Sequence, residues 1–296
     1  SEDDDDAAFA SGGGARRRGG KGDGAAARAA MRERQQKLED QLMSEAPTLK
    51  LGDASLAAAF TAKSASVASC VDIILQGRCT LVTTIQMFKI LALNCLVSAY
   101  ALSVLHLEGV RMGDSQVTAS GMATAVYFLF VSSSRPLRNL CERRPPSSVL
   151  SPYVLLTVLL QFGAHLHTLI AAVRLGATHD TGGDRPEADA EFEPSVANTV
   201  VWLMTHMMQV TTFWVNYKGR PHMEALSANK GLVFSLGASA AFCIGLTQGW
   251  WGTDIAAYFE LVPLPEKARS GLIELMVMDF GLCWVAEKLL SRVFQF

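Results

Sequence analysis

From about Thr80 the chain repeats one pattern: an apolar run near twenty residues long, then a short polar connection. Six such runs fall at 81–105, 117–134, 151–173, 196–216, 231–251 and 271–291. Each is close to the ~20 residues a helix needs to cross a bilayer. The runs are continuous rather than alternating, which excludes a transmembrane β-barrel. The pattern predicts an all-α membrane protein with six transmembrane helices over residues 80–296.

Upstream the pattern is absent. Residues 1–30 are low complexity, with an acidic block at Glu2–Asp6, glycines at Gly12–Gly14 and arginines at Arg16–Arg18. Such a segment buries too little apolar surface to offset chain entropy, so a disordered head is expected. Residues 31–45 read as a short charged helix with Leu38, Leu42 and Met43 on one side. Together, residues 1–46 form a low-complexity cytosolic segment, and residues 47–79 a cytosolic approach to the membrane.

Loop charge sets the expected orientation. The 135–150 connection carries Arg135, Arg138, Arg143 and Arg144 against Glu142, and the 217–230 connection carries Lys218, Arg220 and Lys230 against Glu224. The 174–195 connection is acidic, with Asp180, Asp184, Glu187, Asp189, Glu191 and Glu193 against Arg174 and Arg185. The positive-inside rule puts both termini in the cytosol. The first residue is Ser1 and the first methionine Met31, so a piece of a longer or processed chain is expected.

Polar side chains inside the apolar runs fall in register. In the first run, Gln86, Lys89 and Tyr100 lie within about 60° of one another at 100° per residue, with Asn94 about 80° to the other side. The third run has Thr157, Gln161, His165 and Thr168 at helical spacing, and the fourth has Asn198, Thr205, Gln209, Thr212 and Asn216 on one face. The sixth holds Glu274 near its edge and Asp279 deeper in. Such residues face a bundle interior or a cavity. Two readings stand: a polar groove for a substrate, or hydrogen bonds that join helices. An ionised Asp279 needs a partner, for which Lys89 is one candidate on charge alone.

The fifth run repeats a small residue every fourth position, Gly237, Ala241, Gly245 and Gly249, a ridge expected to seat another helix.

Composition narrows the function. Charged residues are 18% of the chain and crowd into residues 1–50, against about 25% in soluble domains. A net charge of −2 excludes a strongly basic nucleic-acid binder. The six cysteines contain no C-x-x-C, so neither a zinc site nor a disulfide is implied. His165 and His167 point about 160° apart on a helix and cannot chelate one metal together. No P-loop or dinucleotide fingerprint is present.

Several segments carry a family resemblance. Leu49–Phe60 (LKLGDASLAAAF) and Gln76–Tyr100 (QGRCTLVTTIQMFKILALNCLVSAY) resemble the start of the C-terminal membrane half of P-type ATPases of subfamily 5A. VSSSRPLRNL, EFEPSVANTV, VNYKGRPHMEAL and MDFGLCW continue the likeness in order, over about residues 47–294. Ala59 departs from the family's usual proline, which bears only on local loop geometry.

The resemblance implies that the six runs are the fifth to tenth helices of a ten-helix core. It implies an endoplasmic-reticulum protein that uses ATP to extract mislocalised transmembrane helices, with lipid bilayer and helix substrates as partners. Gln86 and Asn94 would then line the substrate path, with the later spans as scaffold. The family's phosphorylation motif D-K-T-G-T, its T-G-E loop and its G-D-G-x-N-D hinge are absent. No cofactor is therefore expected in this chain, and it is expected to be inactive alone. ATP and magnesium would belong to the full-length parent, whose N-terminal catalytic part is the missing partner. Two other classes remain open: a P-type cation transporter and a non-catalytic membrane scaffold. Against the former, the first run offers Gln86, Asn94 and the cation Lys89, and no acid falls between Gln116 and Ser134.

Overall fold

The computed structural model describes residues 31–34, 36–37, 66–107, 111–179 and 193–294. The chain divides into two units, Ser1–Ala65 and Ser66–Phe296. In the first, residues 31–34 and 36–37 are helical, with an exposed Lys37–Glu33 pair one turn apart at 2.8 Å. The rest of the head and residues 47–65 lie outside the described residues.

The second unit is all helical apart from its connections. In order come α1 (Ala68–Leu107), α2 (Asp114–Ser132), α3 (Pro152–His179), α4 (Val196–Asn216), a 3-10 turn (Leu226–Ala228), α5 (Lys230–Gln248), α6 (Gly252–Tyr258) and α7 (Glu266–Val293). The six long helices among the described residues fall on the six apolar runs. Three of them, over Ala68–His106, Pro152–His179 and Lys230–Gln248, are long and apolar enough to cross a membrane by length and composition. The other three carry more polar positions.

At ~1.5 Å rise per residue, the 40 residues of α1 span roughly 60 Å, about twice a ~30 Å hydrocarbon core. Helical structure thus begins well before the expected first run, and residues 68–79 continue it without a break. The short helix α6 inside the 252–270 connection was not foreseen from the pattern.

Local chemistry sets the ends. Ser195 caps α4 by accepting the Asn198 N–H at 3.1 Å, and Asn229 caps α5 by accepting the Leu232 N–H at 3.1 Å. Gly249, at φ 78°, closes α5 in the left-handed region. Pro152 opens α3, where its missing N–H costs nothing.

Helix α4 is the centre of the bundle: 17 of its 21 residues are buried, whereas a surface helix buries only one stripe. Helix α3 presses on it closely, because a Cβ on Gly176 would stand 3.1 Å from the Ala197 Cα. One apolar cluster joins Val97, Leu105, Leu169, Val200, Met204, Leu272 and Met276. A second joins Val82, Ile90, Tyr127, Val131, Phe213, Leu232 and Leu236. Phe88, Leu91, Leu159, Leu160, Phe234, Val277 and Leu282 point outward. A soluble fold would hide such side chains; a bilayer solvates them.

The small-residue ridge of α5 seats no other helix among the described residues. Gly237, Ala241 and Gly249 are exposed, and a Cβ on Gly237 would meet nothing within 4 Å. Gly245 is covered by the Trp251 indole from the chain's own following turn, 2.1 Å from a would-be Cβ, rather than by a helix. The αL turn at Gly249 folds the chain back and lays Trp251 there.

Candidate functional site

The buried faces of α3 and α7 explain the centre of the molecule. On α7, Asp279, Cys283 and Glu287 follow Ala268, Leu272 and Met276 along one buried stripe. On α3, Thr157, Gln161, His165 and Thr168 share one stripe, as the spacing predicts, and Tyr153 extends it by one turn. These polar turns start where the first apolar cluster ends, so polar groups meet polar groups.

Glu287 is the hub. Its carboxylate lies 3.2 Å from Lys89 Nζ and 2.7 Å from Lys218 Nζ. Gln161 Nε2 donates to it at 2.9 Å, and the Tyr153 hydroxyl donates to it as well. Lys89 Nζ also stands 4.9 Å from the centre of the Tyr153 ring, within cation–π range. Gln161 and Asn216 exchange amide hydrogen bonds: Asn216 Nδ2 donates to Gln161 Oε1 at 2.7 Å, and Gln161 Nε2 donates to Asn216 Oδ1 at 3.2 Å. This network draws α1, α3, α4 and α7 together. Burying an ion pair yields little net stability, but losing one partner is costly.

A second group sits one to two turns away. His165 Nδ1 and Asp279 Oδ1 are 2.8 Å apart, and both side chains are almost wholly enclosed. Thr168 Oγ1 donates to Asp279 Oδ1 at 2.9 Å, and Thr212 Oγ1 lies 3.2 Å from His165 Nε2. Lys89 therefore does not pair with Asp279. Glu287 claims the lysine and His165 claims the aspartate. A third polar group, far along α4, holds α2: Gln116 Nε2 donates to Asn198 Oδ1 at 2.8 Å, and the Trp202 indole N–H donates to the Gln116 carbonyl at 3.1 Å.

Gln86 is buried, and its Oε1 accepts the Lys218 backbone N–H at 2.9 Å. Asn94 is half-buried. The side-chain amide nitrogens of both have no hydrogen-bond partner among the described residues. His167 is exposed while His165 is buried, as their opposite directions on a helix require. Sequence reasoning missed Glu287, Tyr153 and Lys218. Glu287 sits in the polar-looking stretch Glu287–Lys288, and only its position two helical turns after Asp279 gives it away.

The two basic connections meet at one end of the bundle. The Glu224 N–H donates to the Arg135 carbonyl at 3.0 Å and the Leu137 N–H to the His222 carbonyl at 3.3 Å. Arg78 on α1 donates to the Cys141 carbonyl. Burial, with Arg78 adding to it, lowers the His222 pKa below the ordinary value of 6.5. The pockets at this basic end offer magnesium no carboxylate ligand. The pocket among Arg143, Arg144, Lys218, Arg220 and His222 leaves about 30 Å³, room for about one water. The adjoining groove along Leu137–Cys141 offers Arg138 and Arg220 and no carboxylate for a metal.

Apolar side chains outside and charged groups inside define the class: an all-helical membrane protein with an ionic core. No family model matches the chain. It is 44% identical over 252 residues to the endoplasmic reticulum transmembrane helix translocase of Schizosaccharomyces pombe, covering 85% of this chain and 21% of that protein. It is 39% identical over 252 residues to the Saccharomyces cerevisiae protein of the same name, covering 85% and 21%. It is 44% identical over 269 residues to the probable manganese-transporting ATPase PDR2 of Arabidopsis thaliana, covering 89% and 23%. The chain belongs to this family of P-type ATPases, subfamily 5A. It spans about a fifth of the length of the curated relatives it matches.

Proposed function

We propose that this chain is the C-terminal membrane part of an ATP-driven translocase that extracts mislocalised transmembrane helices from the endoplasmic reticulum membrane. The observation that carries the reading is the 39–44% identity to relatives named for that activity. The lipid-suited exterior and ionic interior support it. Six spans, with both termini in the cytosol, follow from the loop charges. ATP and magnesium act in the rest of the polypeptide, since phosphoryl transfer needs a nucleophile, positioned carboxylates and metal that this segment does not offer.

Helix α1 couples the two parts. It is long enough to reach from the cytosol through the membrane. Gln86 and Asn94, each with an unpartnered amide nitrogen, face the substrate path. A helix dragged through the bilayer exposes few polar groups beyond flanking side chains and frayed carbonyls, and amide donors suit those. The ionic hub ties α1, through Lys89, to α3, α4 and α7, so movement of α1 carries to those helices.

The test uses the full-length protein reconstituted in vesicles with a tail-anchored helix as substrate. Helix-stimulated ATP hydrolysis should fall severalfold in Gln86→Ala and Asn94→Ala. Unchanged stimulation in both removes them from the path. The name of the Arabidopsis relative favours a second reading, cation transport. Hydrolysis stimulated by Mn²⁺ without helix substrate would support that instead.

A further inference from the structure

Beyond the translocase reading, we propose that His165, Asp279 and Cys283 form a resident transition-metal site, suited to Zn²⁺, that pins α7 to α3. The three are fully enclosed, and one ligand atom from each lies within 4.8 Å of the others. Asp279 and Cys283 are one turn apart on α7, so both point at His165 across the helix interface.

The donor geometry is close to what a tetrahedral ion needs. Ligands at about 2.0–2.3 Å from zinc stand roughly 3.3–3.8 Å from one another. Cys283 Sγ is 3.7 Å from His165 Nε2 and 3.8 Å from Nδ1. His165 Nδ1 and Asp279 Oδ1 are 2.8 Å apart, so admitting the ion asks these two groups to part by about half an ångström.

Two further features point to a ligand. Asp279 Oδ2 is buried and has no hydrogen-bond partner among the described residues, while Oδ1 is already held by Thr168. A buried carboxylate with one oxygen left bare is costly, and a cation held by that carboxylate lessens the cost. The other ring nitrogen of His165 has its own partner in Thr212. With the ion bound, Nε2–H would donate to the Thr212 hydroxyl 3.2 Å away and leave the Nδ1 lone pair to the metal, the outer-shell arrangement of metal-bound histidines.

The ligand set selects the ion. Imidazole, carboxylate and thiolate together suit a borderline divalent cation, whereas Ca²⁺ and Mg²⁺ take six or more oxygens. The charges also close. Asp279 brings one negative charge, Cys283 one more once its thiol proton leaves to solvent, and His165 none, so a divalent ion makes the site neutral. The released proton makes binding stronger as pH rises. Enclosure by the bundle makes the ion a fixed staple rather than a cargo.

The test is the metal content of the full-length protein, purified from membranes without chelator, together with its optical spectrum after growth on cobalt. The site predicts stoichiometric zinc and a thiolate-to-cobalt charge-transfer band. Cys283→Ser and His165→Ala should lose both. Cys243→Ser, which removes a buried cysteine that bonds to the Leu203 carbonyl instead, should keep both. Thr212→Val should weaken metal affinity ~10–100-fold. Wild-type protein that holds no metal and shows no cobalt–thiolate band overturns the site, as does metal that survives Cys283→Ser. Should that variant fail to fold, the wild-type spectrum decides alone. None of these readouts depends on helix extraction, so the site can fail while the translocase reading stands, and the reverse.

Discussion

Lys89 on α1 and Glu287 on α7 meet at 3.2 Å inside the bundle, 198 positions apart in the chain. Both are almost fully enclosed, and Lys218 reaches the same carboxylate. Glu287→Gln would leave Lys89 buried beside a neutral amide. Loss of one partner of a buried pair costs about 3–5 kcal/mol, so thermal unfolding in detergent should move sharply down. The double variant Lys89→Met/Glu287→Gln should be less damaged than the sum of its parts, by about 0.5–3 kcal/mol. Strict additivity would mean that the two charges do not interact.

The reciprocal amides of Gln161 and Asn216 make a second, uncharged test. Gln161→Leu strands the Asn216 amide and removes one donor to Glu287. An unsatisfied buried polar group costs about 1–3 kcal/mol, and the loss should appear as a lower midpoint of thermal unfolding. Gln161→Glu should be worse, because it sets a second carboxylate against Glu287. If it matched or exceeded wild-type stability, the assigned donor direction would be wrong.

Gly176 is where α3 and α4 come closest. A Cβ there would already sit 3.1 Å from the Ala197 Cα, which is backbone and cannot swing aside. Gly176→Val should therefore destabilise the fold by about 1–3 kcal/mol through overpacking. Gly237→Ala, on the open side of α5, should be harmless or mildly stabilising. The pair can be compared by detergent melting of the two purified variants.

His222 supplies a pH dependence. Its folded-state pKa lies below the ordinary 6.5, through burial first and Arg78 second. The unfolded chain then binds the proton more readily, so His222 subtracts stability as pH falls through 6.5 toward the lower folded value. Above that window it has no effect. Replacing it by glutamine should flatten the loss of melting temperature on acidification between neutral pH and mildly acid conditions. An unchanged slope would show that His222 does not titrate differently on folding.

Much of the fold could be read from apolar run length. The fourth run, 196–216, coincides with α4, because Ser195 caps its start and the Tyr217–Lys218 polar turn follows its end. The first run underestimates α1 at its N-terminal side, since residues 68–79 mix polar and apolar side chains yet continue the helix. Backbone hydrogen bonding propagates a helix past the point where its side chains still look membrane-like. The α5 ridge misled for a different reason: small residues permit close approach without saying what approaches, and here the chain's own Trp251 did.

The candidate site divides along the same line. Periodicity placed Gln161, His165 and Thr168 on one buried stripe, and the helical repeat alone is enough for that. Charge alone suggested Lys89 for Asp279, and that pairing failed. Which carboxylate meets which cation depends on the relative rotation and offset of α1, α3 and α7, and these come from packing across 114 to 198 positions of chain. The sequence by itself determined the six long helices, the membrane character and the family, because run length, charge bias and local motifs are properties of short stretches. Only the tertiary structure decided that Glu287 is the hub and that His165, Asp279 and Cys283 share one enclosed point, because side-chain pairing across helices is set by how whole faces interlock.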